Sequence, residues 1–368
     1  MTVGEINAFP NADLELTIDL GVIADNWRLV KNRLAPETEC AAVLKADAYG
    51  LGAARVAPAL AAAGCRTFFV ATIDEGMSLR SLLSEAAIYV LCGPHEKSER
   101  TLANAGLTPV LNDPAQAELW QASAPEAPAA VHLDTGMTRL GFSHRDLARL
   151  ENFRPVLVMS HLACADSPDH SFNARQLCLF RTLTDALPAS PRRSLAASSG
   201  IFLGPDYHFN LVRPGAALYG LAPSPGPNPM GNPVRLRTRI LQARTIDTPG
   251  TVGYGATFET TRGQRLITLG LGYADGFSRM LGNRGSVFLA GKRLPVVGRV
   301  SMDLTVCDAT DVPESLCFPG AWVDIIGPDQ STDALAKQAG TIGYEILTNL
   351  SRRCRRIYLN GHDTRSVE

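Results

Sequence analysis

The sequence predicts an α/β protein with a (β/α)8 TIM barrel followed by a smaller all-β C-terminal domain. From about residue 20 to 220, eight strand-like runs alternate with helical segments, although a doubly wound sheet would give a similar pattern. A stretch rich in proline and glycine follows at 221–234. Beyond it, the runs are short, β-branched and separated by turn residues. We therefore expect the barrel at 12–234 and the β-domain at 235–368.

The first half of the chain contains the barrel elements in order. Apolar residues from Ile23 to Leu34 recur at helical spacing, and 53–63 is predicted to be a second helix closed by Gly64. The strand-like runs are 41–45, 68–72, 88–92, 108–111, 130–134, 156–161, 194–197 and 211–218. Segments predicted to be helical separate most of these runs, as in units where a helix connects two parallel strands.

The second half contains the elements of the β-domain. Strand-like runs follow the linker at 235–246, 264–273, 285–291, 294–300, 304–309 and 321–327. Turn residues separate them at short intervals, which is typical of a small all-β domain. One helix is predicted at 332–339.

Composition and charge argue against several classes of protein. The 368-residue chain has a formal net charge of -1, so neither nucleic acid nor an anionic membrane is an expected partner. No apolar run is long enough to span a membrane, and the N-terminal text lacks the features of a signal peptide. Eight scattered cysteines lack metal-site spacing, so we expect no bound metal and a reducing, cytoplasmic location.

Polar residues follow several predicted strands at the point where each strand ends. Lys45 closes the apolar run of the first strand, and small residues surround it in the stretch VLKADAYGLGA. The later strands end in Asp134 (which leads to Arg139), His161, Ser198-Ser199-Gly200 and Arg213-Pro214-Gly215-Ala216. Each group alone has an ordinary structural explanation. Because active sites of barrels lie at the carboxyl ends of the strands, their order favours one shared site.

The clusters after the seventh and eighth strands suggest an anion site. Loops at these positions often bind phosphate in barrels, and small residues let backbone N–H groups approach the oxygens. A phosphate there, across the barrel mouth from a lysine, predicts pyridoxal 5'-phosphate (PLP), whose aldehyde condenses with a lysine amine. Small residues around Lys45 would leave room for the cofactor ring.

Seven motifs resemble one family, and they run nearly the length of the chain. AAVLKADAYGLG resembles the PLP-lysine signature of the alanine racemase family, PLP enzymes of fold type III. The others are LDTGMTRLGF, SHLACAD, RPGAALYG, VGYGATF, GYADGFSR and GRVSMD. The resemblance implies an isomerase that interconverts L- and D-alanine, either for D-alanine biosynthesis and cell-wall peptidoglycan or for alanine catabolism. It also implies a homodimer with shared active sites, in which residues 1–11 join the β-domain.

The resemblance implies a role for each matched residue. Lys45 would hold PLP as a Schiff base and serve as one catalytic base, and Tyr254 from the second subunit would serve as the other. Two bases on opposite faces suit racemisation, which removes a proton from one face and returns one to the other. The phosphate would be held by Tyr49, Ser199 and the backbone at Gly215 and Ala216. Arg213 would meet the pyridine nitrogen.

Further residues would bind or admit the substrate. Arg139 would face both the phenolic oxygen of the cofactor and the substrate carboxylate, and His161 would support Tyr254. Met302 and Asp303 would line the site from the second subunit. The corridor through which substrate arrives would be shaped by Asp166, Arg279 and Arg299.

The sequence departs from the family pattern at four positions. His132 stands where many members have a lysine that becomes carbamylated, which puts the carbamate and its support of Arg139 in question. Ser198, Ser301 and Arg352 stand where asparagine, cysteine and a phosphate-contacting tyrosine are common. The fourth phosphate contact is therefore open.

Three alternative functions remain. They are a racemase of broader specificity, a fold type III decarboxylase and a non-catalytic PLP-binding protein. A decarboxylase is expected to offer an acidic partner to the pyridine nitrogen, so Arg213 argues against it. A barrel-only PLP-binding protein would lack the β-domain that contributes Tyr254.

Overall fold

The computed structural model describes residues 11–151, 153–187 and 190–360, which divide into two compact units. One unit is Val22–Gly231, and the other joins the residues up to Gly21 to those from Asn232 onward. The barrel unit starts at Val22, whereas the sequence predicted a start at residue 12. The difference arises because β1 (Leu14–Asp19) pairs with two strands of the second unit. The barrel unit ends at Gly231, three residues before the predicted end at 234. The expected association of residues 1–11 falls, except for residue 11, outside the described residues.

The unit Val22–Gly231 is a closed parallel barrel. Its strands are β2 (Glu39–Cys40), β3 (Ala42–Val43), β4 (Thr67–Val70), β5 (Ala87–Val90), β6 (Thr108–Leu111), β7 (Ala130–His132), β8 (Leu157–Met159), β9 (Arg192–Ser194) and β10 (Leu211–Val212). β3 to β9 form one sheet in chain order, and β10 pairs with β2, the first part of the same strand as β3. Ala41 N donates to Val212 O, and Arg213 N donates to Ala196 O, so β10 bonds on both sides. The closed ring confirms the barrel and rules out the doubly wound sheet.

Helices alternate with the barrel strands. They are α1 (Leu20–Lys31), α2 (Ala53–Ala62), α3 (Ile73–Arg80), α4 (Glu99–Asn104), α5 (Pro114–Ser123), α6 (Ser171–Asp185) and α7 (Ser198–Ile201). Local sequence sets several starts: Thr72 caps α3 in a capping box with Glu75, and Asp113 caps α5 before a proline. A 3-10 segment, His144–Leu150, lies between β7 and β8.

The last two barrel strands are displaced from the predicted runs. β9 ends before the run predicted at 194–197 is complete, and β10 covers only the start of the run predicted at 211–218. Pro214 has no N–H, and its carbonyl accepts the last ladder bond, from Val43 N at 2.9 Å. The chain then turns into the 3-10 segment Ala216–Tyr219.

The second unit is mostly β, as predicted. Its strands after β1 are β11 (Val234–Thr245), β12 (Arg265–Leu269), β13 (Ser286–Leu289), β14 (Lys292–Pro295), β15 (Thr305–Asp308), β16 (Trp322–Ile326) and β17 (Arg355–Leu359). The order is β14-β13-β16-β11-β1-β17, and β12 and β15 extend from β11. The helices are α8 (Thr332–Ala339), at its predicted position, and α9 (Gly343–Thr348). Among the described residues, no helix combines the length and apolar character needed to cross a bilayer.

Candidate active site

Lys45 lies at the carboxyl end of β3, on the rim of the barrel. The preceding Leu44 N still donates to Phe69 O at 2.8 Å, so the sheet supports the backbone up to the lysine. Burial, and then the charge of Arg139, lower the pKa of the Lys45 amine, whereas Cys92 and Glu75 raise it. Within the described part of the chain, the amine has no hydrogen-bond or ion-pair partner. A desolvated, unpaired amine is suited to condense with an aldehyde.

The residues after Lys45 adopt a left-handed conformation. The φ angles are 54° at Ala46, 55° at Asp47, 54° at Ala48 and 57° at Tyr49. Each such residue costs about 1–2 kcal/mol relative to the right-handed form, so the run persists only where contacts hold it. Asp47 contributes one of these, because its Oδ1 accepts from Ala53 N at 2.7 Å, the start of α2.

Small residues at the start of α7 and in the turn after β10 form a cradle beside the Tyr49 hydroxyl. The cradle consists of Ser198, Ser199, Gly215 and Ala216. Ser198 Oγ accepts from Gly215 N at 3.0 Å, which ties the start of α7 to the turn after β10. A Cβ on Gly215 would lie only 2.4 Å from the Tyr49 hydroxyl oxygen. The N–H of Gly215 is therefore engaged by Ser198, unlike the free phosphate donor that the resemblance implied. Among the described residues, the N–H of Ala216 and the hydroxyl of Ser199 have no partner, and these donors fit a phosphate.

Arg213 is buried beside the cradle, with 3% of its surface exposed. Its Nη1 donates to Ser194 Oγ, and its Nη2 donates to Ser160 O at 2.6 Å. Burial lowers the pKa of the guanidinium to about 9, so it stays charged at neutral pH. Its Nε–H has no acceptor among the described residues, and this donor fits the nitrogen of a pyridine ring.

His132 is a buried imidazole held by Asn112. Its Nδ1 lies 3.0 Å from Asn112 Oδ1, and the Asn112 amide donates to Leu91 O and Val110 O. The Asn112 oxygen must therefore accept, which puts the proton of neutral His132 on Nδ1. Burial, and then the charge of Arg213, lower the pKa of His132 to about 4. A neutral histidine thus stands where the family pattern often has a charged carbamate.

His161 and Arg139 belong to the same electrostatic cluster. Burial, followed by the charges of Arg213 and Arg139, lowers the pKa of His161 to about 3, so this imidazole is also neutral at neutral pH. The Arg139 side chain is exposed. Lys45 and His132 also lower the pKa of His161, so both of these groups lie near this imidazole.

The β unit presents its predicted site residues at the surface. Tyr254 is 73% exposed and Met302 is 55% exposed. Arg299 Nη1 lies 2.8 Å from the position that a Cβ would take on Gly255, so its guanidinium packs on the turn that carries Tyr254. Asp303 Oδ1 accepts from Arg353 at 2.9 Å and 3.0 Å.

The remaining predicted residues are exposed. Asp166 lies in the loop after β8 of the barrel, and Arg279 begins a 3-10 turn of the β unit. Arg352 is also exposed and makes no hydrogen bond within the described residues.

Several residues at these sites were not expected from the sequence. Asn112 orients His132, Arg353 holds Asp303, and Glu75 contacts the backbone beside Lys45. Only Glu75 had a sequence signal, because TIDE at 72–75 has the pattern of a capping box. Asn112 and Arg353 act through contacts between segments that are distant in the chain.

A closed parallel barrel with a desolvated lysine at its rim, joined in sequence to a β-domain, is typical of the PLP-dependent barrel enzymes of fold type III. The match to known proteins is more specific. Residues 18–223 match the family model "Alanine racemase, N-terminal domain", and 233–358 match "Alanine racemase, C-terminal domain". The chain belongs to the alanine racemase family.

Relatives and solved structures agree over nearly the whole chain. Alanine racemase from Rhodospirillum rubrum is 52% identical over 93% of this chain and 95% of its own length. Catabolic alanine racemase from Agrobacterium fabrum is 48% identical over 98% of this chain and 95% of its own length. The crystal structure of alanine racemase from Bartonella henselae, with covalently bound pyridoxal phosphate, matches with a TM-score of 0.90 and 42% identity. That match covers 94% of this chain and 99% of the Bartonella chain.

Proposed function

We propose that the chain interconverts L-alanine and D-alanine with PLP attached to Lys45. One observation carries the proposal: the Lys45 amine is desolvated and unpaired at the barrel rim of a member of the alanine racemase family. The donors of Ser199, Ala216 and Arg213 fit the phosphate and ring nitrogen of PLP. Bound PLP acidifies the α-proton of an amino acid by withdrawing electrons from Cα.

The proton transfers are assigned to two residues of the chain. Lys45 Nζ exchanges a proton on one face of the substrate Cα, and the phenol of Tyr254 exchanges a proton on the other. The lowered pKa of Lys45 supports its role, because a base must be partly unprotonated at the working pH. His161, which is neutral, supports the phenol of Tyr254.

The substrate is held by charge and by the residues around it. Arg139 pairs with the substrate carboxylate, because a guanidinium binds a carboxylate through two parallel hydrogen bonds. Met302 and Asp303 line the substrate side, and Arg353 fixes the Asp303 carboxylate. Asp166, Arg279 and Arg299 shape the approach.

We further propose a homodimer in which each active site takes Tyr254, Met302 and Asp303 from the second subunit. The exposure of Tyr254 and Met302 supports this, because large apolar side chains at the surface often mark an interface. The eight cysteines are all unpaired in the structure, which supports a cytoplasmic location. The physiological role is either D-alanine supply for peptidoglycan or alanine catabolism, since relatives named biosynthetic and catabolic both match.

Circular dichroism tests the proposed reaction. Purified protein with PLP is incubated separately with L-alanine, D-alanine and single enantiomers of larger amino acids. We expect both alanine signals to decay to zero, and much slower decay for the larger substrates. Borohydride reduction and peptide mapping should place PLP on Lys45. An unchanged alanine signal, or PLP on another lysine, would refute the proposal, and equal rates for all substrates would indicate a broad-specificity racemase.

A further inference from the structure

Glu75 connects the ends of two neighbouring barrel strands through a single carboxylate. Its Oε1 accepts from Ala46 N, the residue after Lys45, at 2.7 Å. Its Oε2 accepts from Ala71 N at 2.7 Å and from Thr72 N at 3.2 Å, just beyond β4. One side chain therefore receives backbone donors from both strand ends.

A helix cap alone does not require this arrangement. In a capping box, the Glu side chain accepts from the N-cap N–H while the N-cap side chain accepts from the Glu N–H. Here Oε2 fulfils that role, together with the bond from Glu75 N to Thr72 Oγ1 at 3.3 Å. Oε1 takes no part in the cap. It accepts a hydrogen bond from the N–H of the peptide group between Lys45 and Ala46.

That peptide group begins the left-handed run. Ala46 to Tyr49 adopt a conformation that is unfavourable for residues with a Cβ, so external contacts must hold the first of them. A hydrogen bond to a carboxylate is stronger than one to a neutral acceptor. The bond from Ala46 N to Glu75 thus restrains the peptide group through which the chain leaves Lys45.

We propose that Glu75 is a positioning residue that aims Lys45 at the cofactor by anchoring the peptide group after it. The proposal rests on the proposed function, because it assumes that Lys45 carries PLP. Charge has a second effect: Glu75 raises the pKa of Lys45, in opposition to burial and Arg139, and Cys92 acts in the same direction as Glu75.

The test measures how fast PLP attaches to Lys45 in protein freed of its cofactor. In this reaction the amine adds to the aldehyde carbon of PLP, and water leaves as the C=N bond forms. Samples taken at timed intervals are treated with borohydride, which reduces the C=N bond. Peptide mapping then locates the label. The rate is followed against pH in Glu75→Gln, Glu75→Asp and Thr72→Ala. Glutamine keeps the size but offers one acceptor oxygen instead of two. Thr72→Ala removes the reciprocal cap bond and leaves the Ala46 contact in place.

We expect Glu75→Gln to lower the plateau rate at high pH by at least about tenfold, as loss of a hydrogen bond to a charged group would. The pH midpoint should also move down, because the carboxylate no longer favours the ammonium form. Glu75→Asp should lower the plateau and shift the midpoint less, since it keeps the charge and loses reach. In the holoenzymes, kcat should fall more than KM rises for both Glu75 variants.

The controls separate positioning from helix capping. Thr72→Ala and Asp74→Asn, a change at the exposed neighbouring acid in α3, should keep the wild-type plateau and midpoint. An unchanged plateau in Glu75→Asp, or an equal loss in Thr72→Ala, would overturn the proposal. If Glu75→Gln does not fold, the Glu75→Asp and Thr72→Ala pair still decides it. Label on another lysine in the wild type would instead refute the proposed function.

Discussion

Gly215 has no side chain at a place where the Tyr49 hydroxyl leaves no room for one. A Cβ there would meet the hydroxyl oxygen at 2.4 Å and Val43 Cβ at 3.2 Å. Real Cβ atoms do not approach other atoms at the first of these distances, so the Tyr49 ring or the 215–217 turn would have to move. Because both belong to the proposed phosphate cradle, the movement would be felt by the cofactor.

Gly215→Ala should therefore weaken PLP binding by about tenfold or more, as expected when overpacking costs about 1–3 kcal/mol. The dissociation constant is measured by titrating PLP into cofactor-free protein. Gly250→Ala is the matched control, since the nearest atom to its added Cβ would be Thr260 Oγ1 at 3.9 Å. Equal PLP affinity in the two variants would contradict the proposed cradle.

His132 makes stability depend on pH. Its pKa is about 4 in the folded state against about 6.5 in the unfolded state, so only the unfolded state binds a proton between these values. Stability from this group is complete above about pH 6.5 and is lost as pH falls towards 4. At pH 5 the loss amounts to about 2 kcal/mol.

His132→Gln should reduce the acid sensitivity of the cofactor-free protein. Urea unfolding at pH 7 and pH 5 should give a smaller fall in unfolding free energy than in the wild type, by about 2 kcal/mol. His161 shifts stability in the same direction, but it is present in both proteins and cancels. His144→Gln, at an exposed position, should behave like the wild type. If His132→Gln also matches the wild type, His132 is not held neutral by the fold.

At the scale of elements, the left-handed run after β3 trades stability for the position of Lys45. Ala46 is exposed and has a φ of 54°, so its methyl group adds strain and buries no surface. Glycine removes that strain, although its greater freedom in the unfolded chain offsets part of the gain. The run is nevertheless held by Glu75, Asp47 and the packing of Tyr49 on Tyr219, whose ring centroids are 4.7 Å apart.

Ala46→Gly should therefore raise the free energy of unfolding by up to about 1 kcal/mol and lower kcat, because the chain beside Lys45 becomes freer. Ala54→Gly provides the contrast: Ala54 is exposed in α2, and glycine there should cost about 1 kcal/mol and leave kcat unchanged. Both quantities come from denaturant unfolding and steady-state kinetics. Equal destabilisation by the two substitutions would mean that the left-handed conformation does not strain the protein.

At the scale of the whole molecule, the proposed bases are in separate units of the chain. Lys45 belongs to the barrel and Tyr254 to the β unit, which the structure divides at Gly231 and Asn232. Exposed apolar side chains of the β unit include Tyr254, Tyr273, Met280 and Met302. These residues suit a surface that the barrel of a second subunit covers.

Hybrid dimers should recover activity from two inactive variants. Lys45→Ala and Tyr254→Ala subunits, each inactive alone, would form one complete site in a mixed dimer if the site is shared. We expect up to about a quarter of wild-type activity after subunit exchange, because half of the dimers are mixed and each has one intact site. Mass spectrometry of differently tagged subunits checks the exchange. Proven exchange with no recovered activity would place both bases in one subunit.

Sequence patterns determined the elements and the main candidates of the site. The alternation of strand-like and helical runs predicted the barrel, because burial repeats with the local period of each element. α2 and α8 were predicted closely, since residues that mark helix ends, such as Gly64 after α2 and Ser331 before α8, lie close to the elements in the chain. Lys45 was predicted to lie at the rim because a polar residue closing an apolar run marks the end of a strand.

Tertiary structure alone decided which distant segments meet. The predicted barrel range of 12–234 included the residues of β1, yet Leu14 pairs with Thr238 and Glu15 with Arg355, both in the β unit. The sequence patterns also did not predict three local features. These are the left-handed run after β3, the hydrogen bond between Asn112 and His132, and the bond from Ala46 N to Glu75. The physical reason is that periodicity records how deeply a residue is buried and not which residue lies against it. Conformational strain and the pKa of a buried group depend on that neighbour.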